Sequence, residues 1–205
     1  MNLPAPKLRA AERPTVALHD RAMDNLRYIR ETMERSASFT HVSGAGGVAM
    51  GGIALAAALA SRVSTSPFSW LAIWLGAAAL SFAVATLFMA RKSRAEGVSL
   101  LSGPGRRFAW NMTPPLLAGV ALTFALVRAG HYDVLPGAWL LLYGASIVTG
   151  GSYSVRPVPL MGVGFMLAGV LALLSPAGWG DAYMGAAFGG LHIVFGLVIW
   201  RKHGG

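Results

Sequence analysis

The chain has no cysteine, which excludes disulfides, thiolate metal centres and cysteine nucleophiles. Charge is scarce as well: Asp, Glu, Lys and Arg make up 12% of the 205 residues, about half the share of a soluble domain. Acidic residues number only 8, and no Asp, Glu or Lys stands in the middle of a long apolar run. Paired carboxylates for acid–base chemistry, a buried carboxylate relay for proton-coupled transport and a helical His-Glu-x-x-His zinc site are therefore missing. No cofactor and no metal is expected. The opening residues contain no apolar core followed by a small-residue cleavage site, so no signal peptide is expected. Residues 1–14, with Pro4, Pro6, Lys7 and Arg9, read as a flexible tail.

What is present is apolar: hydrophobic residues make up 55% of the chain, accompanied by 26 glycines. Six runs, 42–61, 69–90, 112–130, 136–153, 159–175 and 183–200, each approach the ~20 residues needed to cross a hydrocarbon core of about 30 Å. Backbone groups in hydrocarbon must pair internally, and no strand-like alternation occurs, so these runs predict helices. The fold class is all-α, a polytopic membrane bundle of six spans, with residues 201–205 as a short tail. Pro114 and Pro115 are expected in the first turn of the third span, where a missing N–H costs little.

Basic residues give an orientation. Fifteen of the 17 lysines and arginines fall before span one, between spans two and three, between spans four and five, or after span six. Only Arg62 and Arg128 fall on the other side, with Asp133 and Asp181. The positive-inside rule then predicts that both termini are cytoplasmic. Trp70, Trp139 and Tyr183 would mark an aromatic belt at the outer interface. The formal charge of +9 is thereby read as topology and lipid contact, with Arg27, Arg30, Arg91, Lys92, Arg94, Arg106, Arg107 and Arg156 placed against anionic headgroups. No nucleic-acid partner is expected. His41, at the same boundary, is expected to be solvated.

Residues 15–36 predict an amphipathic cytoplasmic or interfacial helix. Leu18, Ala22, Leu26, Ile29 and Met33 form one apolar stripe. Asp24–Arg27, Arg27–Glu31, Arg30–Glu34 and Glu31–Arg35 are pairs at helix-neighbour spacing, and Ser36-Ala37-Ser38 loosens the chain before Phe39. Such a helix either rests on the bilayer or pairs through its stripe with a membrane-complex subunit or a second copy.

Within the spans, one histidine remains. His192 shares a helical face with Gly185, Gly189 and Gly196, a surface suited to close helix contact. In span four, Tyr143, Ser146, Thr149, Gly150 and Tyr153 supply polar and small groups. Ser146 and His192 fall at similar depth, about 14 Å from the outer start of their spans at 1.5 Å per residue. These residues allow three readings: an interhelical hydrogen bond, a pocket for a small or lipidic molecule, or a serine activated by histidine. Aromatic-then-glycine textures at Trp74-Leu75-Gly76, Tyr143-Gly144 and Phe188-Gly189 also hint at three successive helical hairpins.

Gly144-Ala145-Ser146 on span four and His192 on span six resemble the dyad of rhomboid intramembrane proteases in position and order. That resemblance implies a serine nucleophile at Ser146 with His192 as its base. Ile147 departs from the pattern, which has glycine after the serine, and span two lacks a histidine–asparagine pair for an oxyanion site. Separately, Leu26-Arg27-Tyr28-Ile29-Arg30 leading into Phe39, with Gly189-Gly190-Leu191-His192-Ile193 before the basic end, resembles an uncharacterised family of six-helix bacterial inner-membrane proteins. It implies the architecture and no activity. The function expected is that of a non-enzymatic association, assembly or regulatory subunit; the alternatives are a permease for a small neutral or lipidic solute and an intramembrane serine protease.

Overall fold

The computed structural model of the chain describes residues 14–36, 39–97, 99–100 and 103–203. They are all-α: α1 (Pro14–Ser36), α2 (Gly44–Ser61), α3 (Pro67–Ala95), α4 (Gly103–Ala129), α5 (Leu135–Gly151), α6 (Pro157–Leu174), and a last span built from α7 (Gly180–Met184), a π-helical stretch (Gly185–Leu191) and α8 (His192–His203). Six helical segments are long and apolar enough to cross a membrane, so the chain is a multi-pass membrane protein. The chain divides into two units, residues 1–37, which include α1, and residues 38–205, which include the six spans. Most of the expected tail at 1–14 and the Ala37-Ser38 joint lie outside the described residues.

Local chemistry sets the helix ends. Ser43 caps α2 by accepting the Gly46 N–H at 3.1 Å. Ser66 and Ser69 form a reciprocal capping box ahead of α3, with Pro67 in its first turn, where its missing N–H is no loss. Gly97 and Gly130 follow α3 and α4 with φ of 67° and 78°, the left-handed conformation that ends a helix and that glycine adopts without strain.

Two antiparallel helix pairs organise the bundle, each closed by reciprocal glycines seven residues apart. In α5 and α6, a Cβ on Gly144 would lie 2.7 Å from the Gly162 carbonyl oxygen and one on Gly162 2.8 Å from that of Gly144. Two turns away, Gly137 and Gly169 repeat the relationship at 3.1 and 3.0 Å. In α2 and the last span, Gly44 meets Gly196 and Gly51 meets Gly189, again seven residues apart on both helices. Lipid offers apolar side chains no driving force to associate, so close backbone approach and its dispersion contacts hold such pairs together. The hairpin correspondence does not extend to this packing, because Gly76 has nothing within 4 Å of its Cβ position.

The remaining helices flank this centre, α3 against α2 and α4 against α5. They carry the apolar surface that faces outward, including Phe82 and Phe124 at 74% and 71% exposure. Both outrun the apolar runs that announced them: α3 continues to Ala95 and α4 begins at Gly103. Their 29 and 27 residues span about 40 Å, longer than a hydrocarbon core of about 30 Å. Arg91 and Arg94 at the end of α3, and Arg106 and Arg107 at the start of α4, therefore lie on helix, where a basic loop had been expected. Pro114 and Pro115 sit inside α4, several turns from its start, a correction to their expected first-turn position.

Candidate functional site

Residues expected to form the mid-span site meet in part. Tyr143 from α5 and His192 from the last span are joined by a 2.8 Å hydrogen bond between the phenol oxygen and Nε2. His192 Nδ1 lies 2.8 Å from the Phe188 carbonyl oxygen. A carbonyl only accepts, so Nδ1 carries a hydrogen, and in the neutral ring Nε2 is then the acceptor for the Tyr143 hydroxyl. The last span reaches this position through π-helical turns, a local widening that is often found where a side chain must be re-aimed. Phe165 and Phe188 complete an aromatic cluster, with ring centroids 4.9 Å and 5.1 Å from Tyr143. His192 is 4% exposed and Phe165 fully buried.

The other members of the predicted set are bonded elsewhere. Ser146, fully buried, donates to the Tyr143 carbonyl oxygen of its own helix at 2.7 Å. A hydroxyl has one proton to give, and the His192 acceptor is already taken by Tyr143, so the geometry contains no serine–histidine dyad. Thr149 donates across to the Asn111 carbonyl of α4 at 2.7 Å. Tyr153 is 40% exposed in the turn after α5 and does not meet His192. What the mid-span geometry does chemically is lock α5 to the last span.

At the basic end, the residues after α1 are built into the bundle. Phe39, 3% exposed, donates its N–H to the Tyr153 carbonyl at 2.6 Å, and its own carbonyl accepts from Ser154 Oγ at 2.6 Å. Its ring packs 4.9 Å from Phe108 of α4. Lys92, expected at lipid headgroups, is instead 7% exposed; its ammonium donates to the His203 carbonyl at 2.6 Å and to Val42 at 3.4 Å. The continuation of α3 past the hydrocarbon turns this lysine onto the start of α2 and the end of α8. His41, expected to be solvated, is 6% exposed, with Nε2 3.0 Å from Glu96 Oε2; that contact is an ion-pair approach and not an aligned hydrogen bond, since neither ring nitrogen has one. Residues 201–203 are helical and anchored through His203, while Gly204 and Gly205 lie outside the described residues. Of the other expected headgroup contacts, Arg27, Arg91, Arg94, Arg106 and Arg156 are exposed and Arg107 is half-buried; the Arg30 side chain lies outside the described residues.

The opposite end holds a cluster that sequence reading missed. Asp181 Oδ1 accepts from the indole N–H groups of Trp70 at 2.7 Å and Trp74 at 3.2 Å. Oδ2 accepts from Ser61 at 3.0 Å, a hydroxyl shared with the Ala58 carbonyl of α2 at the same distance. The residues expected in the aromatic belt are half-buried and bonded within the bundle: Trp70 stacks on Trp139 at 5.6 Å, Trp139 donates to Thr123 at 2.8 Å, and Tyr183 pairs with Ser175 at 2.8 Å. The signal available in the sequence was one acid, Asp181, close to an apolar run and facing two tryptophans four residues apart.

No protein-family model, curated protein or solved structure matches the chain.

Proposed function

We propose that this protein is a non-enzymatic subunit of a bacterial inner-membrane assembly, with its basic end and both termini in the cytoplasm, and that α1 recruits the partner. The observation carrying this reading is the apolar stripe of α1: Leu26, Ile29 and Met33 are 60%, 52% and 67% exposed on a helix that forms a unit apart from the spans. Beside the stripe, Arg27 pairs with Asp24 at 3.6 Å; each of the other three predicted pairs includes a side chain outside the described residues. An exposed ion pair of this kind adds at most about 1 kcal/mol, so the helix gains its stability by covering the stripe. A bilayer surface would cover it non-specifically, a second helix with specificity.

Deletion of residues 1–36 separates these outcomes. Partners should be lost from the purified protein while the six spans remain inserted and folded. Unchanged co-purification after the deletion means that α1 serves only as a surface helix. The permease reading has less support: His192, its central residue, is wrapped by Tyr143, Phe165 and Phe188 and bonded at both nitrogens.

A further inference from the structure

At the end of the bundle away from Lys92, the α2–α3 turn, the α4–α5 turn and the start of the last span border an open cleft of about 400 Å³. That volume falls within the range of small-molecule sites. Two carboxylates, Asp181 and Asp133, and two aromatic rings, Trp70 and Tyr132, line it. Asp181 is half-buried, and its three hydrogen-bond donors, Trp70, Trp74 and Ser61, are all neutral. Among the described residues, neither carboxylate has an ion-pair partner. A carboxylate offers about four lone-pair positions. Two donors on Oδ1 and one on Oδ2 leave a position on Oδ2 for one further N–H. The three donors hold the carboxylate in place but do not neutralise its charge, and a partly desolvated charge favours an opposite charge beside it.

We propose that this cleft binds a primary ammonium group, supplied by a lipid headgroup or by a free amine. The ammonium would donate to Asp181 Oδ2 and lie near Asp133, while the adjoining methylenes pack on Trp70 and Tyr132, whose rings attract cations electrostatically. The donor set is less suited to a hard divalent ion, which takes six or more oxygens; among the described residues, no group of three or more His, Asp or Glu side chains could hold a metal. Phosphate and other anions are disfavoured by the two carboxylates.

The test uses the full chain in nanodiscs of phosphatidylglycerol alone, titrated with ethanolamine and followed by tryptophan fluorescence. In a second arm, phosphatidylethanolamine replaces part of the lipid and its retention is measured by native mass spectrometry. A saturable response in either arm supports the site, and the arm that responds identifies the source. Neutral N-acetylethanolamine should bind at least about tenfold more weakly, a loss of about 1.4 kcal/mol. Asp181→Asn should weaken binding to a similar degree. Asp133→Asn, at an exposed residue that leaves the Trp70 and Trp74 bonds in place, should also weaken it and guards against misfolding of the first variant. The proposal is overturned if neither amine source responds, if N-acetylethanolamine matches ethanolamine, if both variants bind like the parent, or if magnesium alone saturates the same response.

Discussion

Thr149 of α5 donates its hydroxyl proton to the Asn111 carbonyl of α4 across 2.7 Å, and Asn111 is the residue whose helical partner, four positions on, is Pro115. A proline has no N–H to return. The threonine therefore satisfies a carbonyl that has no helical N–H donor, and the proline inside α4 is also what ties that helix to α5. Carbonyl oxygens of its own helix lie slightly farther from the same hydroxyl, at 3.0 and 3.1 Å.

A double-mutant cycle tests this relationship. Thr149→Val keeps the branched shape and should cost about 1–2 kcal/mol, the scale of an interhelical bond in a membrane. Pro115→Ala restores the helical donor. In that background Thr149→Val should cost clearly less, so the coupling energy is non-zero. Reversible unfolding in mixed micelles measures all four proteins; equal costs in both backgrounds would show that the two residues act independently.

The mid-span cluster yields a different pattern. Tyr143→Phe removes only the hydroxyl bonded to His192 Nε2 and should cost on the order of 1 kcal/mol. His192→Ala also empties space between Phe165 and Phe188, and its cost should reach about 2–4 kcal/mol. Ser146→Ala should change stability by less than either and leave a fluorophosphonate probe as unreactive as in the parent. Labelling of the parent that disappears in Ser146→Ala would restore the nucleophile reading.

Much of this arrangement was legible before the structure, for reasons that are local. The hydrocarbon thickness fixes the number of apolar residues a span needs, so all six spans stand out. A three- and four-residue spacing put Gly185, Gly189 and Gly196 on one face, and they do meet one neighbour, α2; the His192 ring, expected on that same face, instead meets Tyr143 of α5 and Phe165 of α6. What could not be read depends on distant segments or on geometry that composition does not encode. Helical hydrogen bonding does not stop where the lipid does, so the apolar run underestimates α3 and α4. Lys92 and Arg91 are adjacent basic residues in one helix, yet one is buried by the end of α8 and the other is exposed over the Phe88 ring. Trp70 has the composition of a belt residue, and only the position of Asp181, more than a hundred residues away, bonds it within the bundle. The π-helical turns before His192 arise in a glycine-rich stretch with no sequence feature that distinguishes it from an α-helix.

The Lys92 and Arg91 contrast makes a third prediction. Lys92→Met keeps the apolar stem but removes the ammonium held by the His203 and Val42 carbonyls. Charged hydrogen bonds of this type are worth about 1.5–3 kcal/mol, so the variant should unfold more readily by that order and expose the C-terminal residues to carboxypeptidase. Arg91→Met, one residue earlier, should stay within about 0.5 kcal/mol of the parent. Protease-digestion rates and unfolding free energies report on both, and similar behaviour of the two variants would argue that the Lys92 anchor carries no weight.

The glycine seams give the last prediction. An alanine at Gly144 or Gly162 would drive its methyl into the facing helix's carbonyl, 2.7 or 2.8 Å away, and backbone on both sides leaves nothing flexible to yield. Each substitution should therefore force α5 and α6 apart and cost about 1–3 kcal/mol, the usual penalty of overpacking. Gly52→Ala and Gly76→Ala provide the control, because nothing lies within 4 Å of either position. There the intrinsic helix preference for alanine over glycine, about 1 kcal/mol, has no clash to oppose it, so these variants should be neutral or more stable. If Gly144→Ala and Gly76→Ala shift the unfolding midpoint alike, the reciprocal contacts between α5 and α6 are not what holds those two spans together.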